Sequence, residues 1–279
     1  MSPSDLLGVA DGLRNHQPPR QVGRTTLLGL TPSPGSGPAG PPSFDRCAAR
    51  YDELRPVDGN WWQLFDAIVV AGSLRGRRVL EVGCGTGRLA AALAERARAR
   101  VWAVDASAEM VARAKALGVN ARVARAEALP FKRGWFDAVV MRMVVHLLDR
   151  PRAFADAARV LAPGGVLVVA SEDPDAFDEI WFARFFPSVP ALDRARFPAA
   201  PALEAELAAA GLPATRVERL VQERTIGREQ ALDVIASKAY STFELLPAGE
   251  YAAGLARAEA ELPDALAYRF HWLVVSARR

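Results

Sequence analysis

The sequence predicts an α/β fold built on a doubly wound, largely parallel sheet. Three observations carry this. From about Phe44 onward, short apolar runs alternate with helical patterns, as βαβ units require. The stretch EVGCGTGR (81–88) sets three glycines in five positions directly after one apolar run. An acidic residue, Asp105, closes the next apolar run, 18 residues beyond Gly87. In an open α/β sheet, ligands bind at the carboxyl ends of the strands where the strand order reverses. A glycine-rich turn lets backbone approach them there.

Residues 1–42 stand apart. GLTPSPGSGPAGPPSF is a Pro/Gly/Ser tract with little to bury, so a flexible extension is expected, with a turn or two of helix over DLLGVADGL (5–13). Residues 43–279 form the predicted domain. NWWQLFDAIVVAG (60–72) has the pattern of a helix with bulky apolar residues, and RRVLEVG (77–83) that of a buried strand. RLAAALAERA (88–97) is helical, and ARVWAVDAS (99–107) is a strand. SAEMVARAKALG (107–118) is a helix with Ser107 as N-cap and Gly118 as its stop. NARVARAEA (120–128) and WFDAVVMRM (135–143) are strands, PRAFADAARVLA (151–162) a helix, and GGVLVVAS (164–171) a continuous apolar strand. Residues 172–200 are irregular and rich in aromatics. They are followed by a helix (201–211), a strand (214–226), two helices (229–240 and 248–261) and a last strand, YRFHWLVVSARR.

Composition narrows the function classes. The 279 residues carry 35 basic and 32 acidic side chains, interspersed with no run of about five like charges, so charge gives no reason to expect a nucleic-acid partner. Two cysteines, Cys47 and Cys84, support neither a disulfide framework nor a multi-cysteine metal site. No apolar stretch approaches the ~18 residues of a membrane span, and no signal-peptide pattern opens the chain. A soluble cytoplasmic protein is expected.

The glycine spacing speaks to the ligand. A dinucleotide fingerprint is G-x-G-x-x-G, which seats a pyrophosphate on a helix N-terminus. Here the spacing is G-x-G-x-G, and Arg88 holds the third-glycine position. Glu81, two residues before the first glycine, would repel a pyrophosphate but suits an ammonium group. Asp105 can accept hydrogen bonds from both ribose hydroxyls. S-adenosylmethionine has the ribose and the ammonium and lacks the phosphates. An NAD-type oxidoreductase is disfavoured.

VLEVGCGTGR, VDASAEMV, AEALPF, FDAVVMRMVVH and RVLAPGGVLVV occur in this order over residues 44–171. With them the chain resembles the class I S-adenosylmethionine-dependent methyltransferases. It is similar to the broad small-molecule group that includes the ubiquinone- and menaquinone-biosynthesis-like enzymes. The resemblance implies a Rossmann-like, seven-stranded, mostly parallel sheet with an antiparallel last strand, and substrate-cap elements at 172–213 and 228–262. It also implies site roles. Glu81, Gly83, Cys84, Gly85 and Gly87 match the loop around the methionine part. Asp105 matches the ribose ligand, with Ala106 and Met110 beside the adenine. Ala126 and Glu127 match the segment along the adenine edge, and Arg142 a backbone contact. Tyr51, in ARYDELR, matches an aromatic that closes over the cofactor. Arg125 stands where the family often has an aspartate for the adenine amine.

His146 follows a strand's carboxyl end and is the candidate general base, the alternative being a histidine that only lines the pocket. A base there implies a titration near pH 6.5. Glu172 and Asp173 are runner-up polar groups. Cys84 is expected to be a small side chain rather than a nucleophile, and Asp137 to be structural. The aromatics between Phe177 and Phe186 are expected to wall a pocket with few polar groups, fitting a small hydrophobic acceptor and O-methylation. Rival classes are an RNA or protein methyltransferase and a non-catalytic cofactor-binding protein. The MRMVVH stretch lacks the Asn/Asp-Pro-Pro-aromatic pattern of adenine-amine enzymes, and neither cysteine follows a proline as cytosine C5 chemistry prefers.

Overall fold

A computed structural model describes residues 52–53 and 56–279. The extension over residues 1–42, its short helix and Tyr51 lie outside the described residues. The elements in order are α1 (Gly59–Gly72), β1 (Arg78–Val82), α2 (Arg88–Arg96), β2 (Arg100–Asp105), α3 (Ala108–Ala116), β3 (Ala121–Val123), β4 (Phe136–Arg142), α4 (Arg150–Val160), β5 (Leu161–Glu172), α5 (Val189–Arg194), α6 (Ala200–Ala209), β6 (Ala214–Gly227), α7 (Arg228–Ala236), α8 (Glu250–Glu261) and β7 (Ala265–Arg278).

The seven strands form one sheet in the order β3-β2-β1-β4-β5-β7-β6. The first five pair in parallel, and β7 inserts antiparallel between β5 and β6. Strand order reverses between β1 and β4, where Val82 pairs with Met141.

Both faces of the central strands are buried, which is why they read as continuous apolar runs. Leu80, Val139, Leu167 and Val275 face the layer of α4 and α6. Val79, Val140, Val168 and Val274 face α1 and α2. A one-residue slip would exchange these two sets, so the register is fixed by both layers at once. α3 covers the β2 end of the second face through Val111 and Ala114 against Ala103.

Helix starts follow local chemistry. Asp58 caps α1 by accepting from the Trp61 N–H at 2.8 Å, and Ser107 caps α3 by accepting from Met110 N–H at 3.1 Å. Gly118, at φ +79°, stops α3 as its spacing predicts. Asp137 is structural: both its oxygens hold Arg78, one at 2.6 Å from Nη2.

Within 172–213, α6 inserts Leu203 and Leu207 into the main sheet core beside α4. Its apolar face has a full sheet layer to bury against. The cap has its own core, formed by Trp181, Phe182, Phe185, Phe186 and Val189 with α7, α8 and the ends of β6 and β7. The pocket wall expected of the 177–186 aromatics is formed by Phe177, Trp181 and Phe182 with Ile180 and Tyr240, while Phe185 and Phe186 are fully buried in this core. The reason is a close fit: Gly254 of α8 leaves the space that Phe186 fills, and a Cβ there would lie 2.2 Å from the ring.

Candidate active site

The loop after β1 is anchored to the end of β2. The N–H groups of Gly83 and Cys84 both donate to Val104 O, at 2.8 and 3.0 Å. The three glycines have separate reasons. A Cβ on Gly83 would lie 2.5 Å from Val144, and one on Gly87 2.8 Å from Ala114. Gly85 has open space where its Cβ would be. All three have positive φ, so the loop is both sterically closed beneath and open on one side.

Asp105 ties the loop to the next one. Its Oδ2 accepts from Gly85 N–H at 2.8 Å and its Oδ1 from Ser107 N–H at 2.9 Å. A carboxylate has about four acceptor positions, so two remain for a ligand. Ala106 beside it is exposed, and Met110 is buried. Ala126 is buried, and the Glu127 carboxylate accepts from Asp149 N–H at 3.1 Å and pairs with Arg125 at 3.3 Å. Asp52, the neighbour of Tyr51, accepts from Thr86 Oγ1 at 2.8 Å and pairs with Arg88 at 3.2 Å, so the segment 52–53 rests on the glycine loop.

Glu81 is 2% exposed, on the sheet face beneath α2, and its Oε2 has no hydrogen-bond partner. Burial lifts its carboxyl to about 8, against the pull of Arg142 and a backbone hydrogen bond from Ala90. Burial also pushes the Cys84 thiol far above its ordinary range, with Glu81 and Asp105 adding to the effect. A thiol so placed is no nucleophile.

Past the carboxyl ends of β4 and β5 lies a cavity of about 260 Å³. Arg142, Met143 and His146 line it from the β4 side, Glu172 from β5, and Phe270 and Trp272 from β7. Met143 has φ +51°, a strained setting for a non-glycine residue, at the turn that delivers His146. The His146 ring stacks on Phe197, with centroids 4.1 Å apart and planes 13° apart. Burial and the nearby Arg196 lower its pKa from 6.5 to about 3, so the ring is neutral across the physiological range.

Comparison with known proteins agrees with this geometry. A methyltransferase domain family model matches residues 80–169. The chain is 34% identical over 200 residues to a demethylmenaquinone methyltransferase of Thermus thermophilus, covering 60% of this chain and 90% of that protein. The chain belongs to the class I S-adenosylmethionine-dependent methyltransferases. A malonyl-[acyl-carrier protein] O-methyltransferase of Geobacter sulfurreducens is 36% identical over 145 residues, 50% of this chain and 54% of its own length. Among solved structures, a methyltransferase from an antibiotic biosynthesis pathway of Anabaena variabilis superposes with a TM-score of 0.63 over 80% of this chain and 99% of that one, at 20% identity.

The cofactor of this methyltransferase is S-adenosylmethionine. The residues present fit it. Glu81 offers a buried, unsatisfied carboxyl oxygen to an ammonium, Gly85 an open backbone, and Asp105 its spare acceptor positions.

The structure gathers Glu81, the loop glycines, Cys84, Asp105 and Ala106 at the ends of β1 and β2. Met110 supports this group from α3, and Ala126 and Glu127 follow β3. Arg142 and His146 line the cavity, and Arg142 also acts on the Glu81 carboxyl. Sequence reasoning missed much of the methyltransferase's cavity. Asp193, 5% exposed, accepts from Thr242 Oγ1 at 2.5 Å and pairs with Arg196 at 3.2 Å. Arg224, Gln230, Tyr240, Ser241 and Tyr268 also line the cavity, so its wall is far more polar than expected. Only Trp181 of the Phe177–Phe186 aromatics contributes to it. These residues come from segments with no local motif; their one signal is polar residues inside otherwise apolar stretches.

Proposed function

We propose that this methyltransferase moves the methyl group of S-adenosylmethionine to an oxygen of a small, ring-bearing acceptor in the cavity beyond β4 and β5. The observation that carries the reading is adjacency. Gly83 packs against Val144, and His146 of the same turn lines the cavity, so the loop for the cofactor and the space for an acceptor share one wall. S-adenosylmethionine supplies a methyl group already activated on sulfonium. The chain's own task is alignment and exclusion of water. Glu81 and Asp105 hold the two ends of the cofactor's charged and ribose groups. Trp61, Trp181, Phe197, Phe270 and Trp272 give the cavity aromatic surface for the acceptor's body, and its polar residues fix orientation.

His146 faces the acceptor as a neutral imidazole and accepts its hydroxyl proton as the oxygen attacks. A pKa of about 3 makes it a weak base. Turnover is therefore expected to show no inflection near pH 6.5, in contrast to an exposed histidine base. The test uses methyl-labelled cofactor with a panel of phenols, amines and thiols. Label is expected in a methyl ether. His146→Ala should lower turnover at least tenfold with cofactor affinity unchanged, and Asp105→Ala should weaken cofactor binding by about 1.5–3 kcal/mol in calorimetry. Label in amines alone would overturn the oxygen assignment. Cofactor binding with no transfer to any acceptor would favour a non-catalytic role.

A further inference from the structure

We infer that the acceptor carries an anionic oxygen group, a carboxylate or its equivalent, received by Arg224 in the cavity wall. This rests on the reading of the cavity as the acceptor site. Arg224 reaches the cavity from β6 and is half-buried. Its Nη2 donates to Gln222 Oε1 at 2.6 Å, its Cζ lies 4.7 Å from the centre of the Phe270 ring, and it hydrogen-bonds the Tyr268 hydroxyl. Its Nε is buried with no partner. None of these neighbours is a counter-charge. One is an amide oxygen, one an aromatic face, and one a phenol that burial holds above its ordinary range and so keeps neutral.

The other charges of the wall are occupied. Asp193 pairs with Arg196 at 3.2 Å. Asp58 caps α1. Glu172 acts on Arg196 and, with Asp58, on Tyr268, and Arg142 acts on Glu81. Among the described residues no carboxylate forms a salt bridge with Arg224. A guanidinium drawn partly out of water without an anion costs stability, and an arriving carboxylate offsets that cost through charge-assisted hydrogen bonds.

The arginine is held in place rather than left to swing. Gln222 is 1% exposed and uses every hydrogen-bonding position of its amide. Its Nε2 donates to Asn60 O at 2.6 Å and Gln63 Oε1 at 3.1 Å. Its Oε1 accepts from Arg224 at 2.6 Å and from Trp272 Nε1 at 2.9 Å. Arg224 and Trp272 both line the cavity, so Gln222 is a positioning residue for the wall.

The test is calorimetry on the full chain saturated with S-adenosylhomocysteine, using three rings of similar size: 4-hydroxybenzoate, 4-hydroxybenzamide and 4-hydroxybenzylamine. The benzoate is expected to bind at least tenfold more tightly than the amide, and the amine most weakly. Arg224→Gln should bring benzoate and amide within about twofold, with amide and S-adenosylhomocysteine affinities unchanged. Arg224→Lys should retain part of the preference, and Gln222→Leu should reduce it part-way. Equal binding of the three rings, or a preference for the amine, overturns the anion assignment and leaves the cavity as the acceptor site. An unchanged ratio in Arg224→Gln overturns it too, as does failure of all three rings to bind while S-adenosylhomocysteine binds. Failure of S-adenosylhomocysteine itself to bind would strike the reading on which the inference rests.

Discussion

Glu81 holds a proton at neutral pH in the cofactor-free protein, because burial lifts its carboxyl from 4.5 to about 8. An unfolded chain has lost that proton above about pH 4.5. Stability should therefore fall as pH rises across this window, by on the order of 4 kcal/mol in total. Glu81→Gln should flatten that decline in melting temperature. An ammonium placed beside Glu81 favours its ionised form, so cofactor binding at pH 6.5 should release close to one proton. Calorimetry in buffers of different ionisation enthalpy measures that release, and the Gln variant should lose it. The loop glycines separate stability from binding. Gly85→Ala meets open space and should cost only the ~1–2 kcal/mol of a left-handed alanine while weakening cofactor binding at least tenfold. Gly87→Ala must also displace Ala114 and should cost about 3 kcal/mol, read by denaturant melts. These residues were legible because their chemistry is local: three glycines and two acids at fixed distances from strand ends. Gln222 was not. Its partner Asn60 is 162 positions away, and nothing near either residue announces the other.

At the scale of elements, the cap stands on the contact between α8 and the aromatic cluster. Gly254→Ala would set a Cβ 2.2 Å from the Phe186 ring and 2.8 Å from Phe185 O. Overpacking of this kind costs about 1–3 kcal/mol. The variant should melt earlier and bind the hydroxybenzoate probe more weakly, with S-adenosylhomocysteine affinity unchanged, because the cofactor loop belongs to the sheet and not to the cap. Most helices and central strands were legible to within a residue or two, since their apolar spacing is set by two buried faces, but α7 stops at Ala236, short of the expected 240. Boundaries failed where pairing overrode propensity. Leu161 and Ala162 continue a helical pattern, yet Leu161 pairs with Phe136, so α4 ends at Val160 and the strand begins three residues early. The strand expected over 120–128 is only Ala121–Val123, because it lies at the sheet edge with β2 as its one partner. α5 has six residues and went unread. The aromatics of 177–186 were visible, but a sequence cannot say whether a phenylalanine lines a cavity or fills a core.

For the whole molecule, residues 1–42 are predicted to be dispensable. Their Pro/Gly/Ser composition offers little apolar surface to offset the entropy of ordering. A chain beginning at Ser43 should melt within about 2 °C of the full chain, a shift of no more than about 1 kcal/mol at this size. It retains Tyr51 and Asp52, so S-adenosylhomocysteine affinity should be unchanged. The placement of β7 between β5 and β6 has a consequence for the order in which the protein comes into being. A ribosome delivers the cofactor loop early and β7 after the six other strands of the sheet. β6 emerges earlier but has no strand to pair with until β7 arrives, and Phe270 and Trp272 complete the cavity only then. Until β7 is released, β5 presents an unpaired edge of Val166, Leu167, Val168 and Val169. A chain interrupted before β7 would keep that sticky edge unpaired, so folding of the sheet is not secure until β7 has been made.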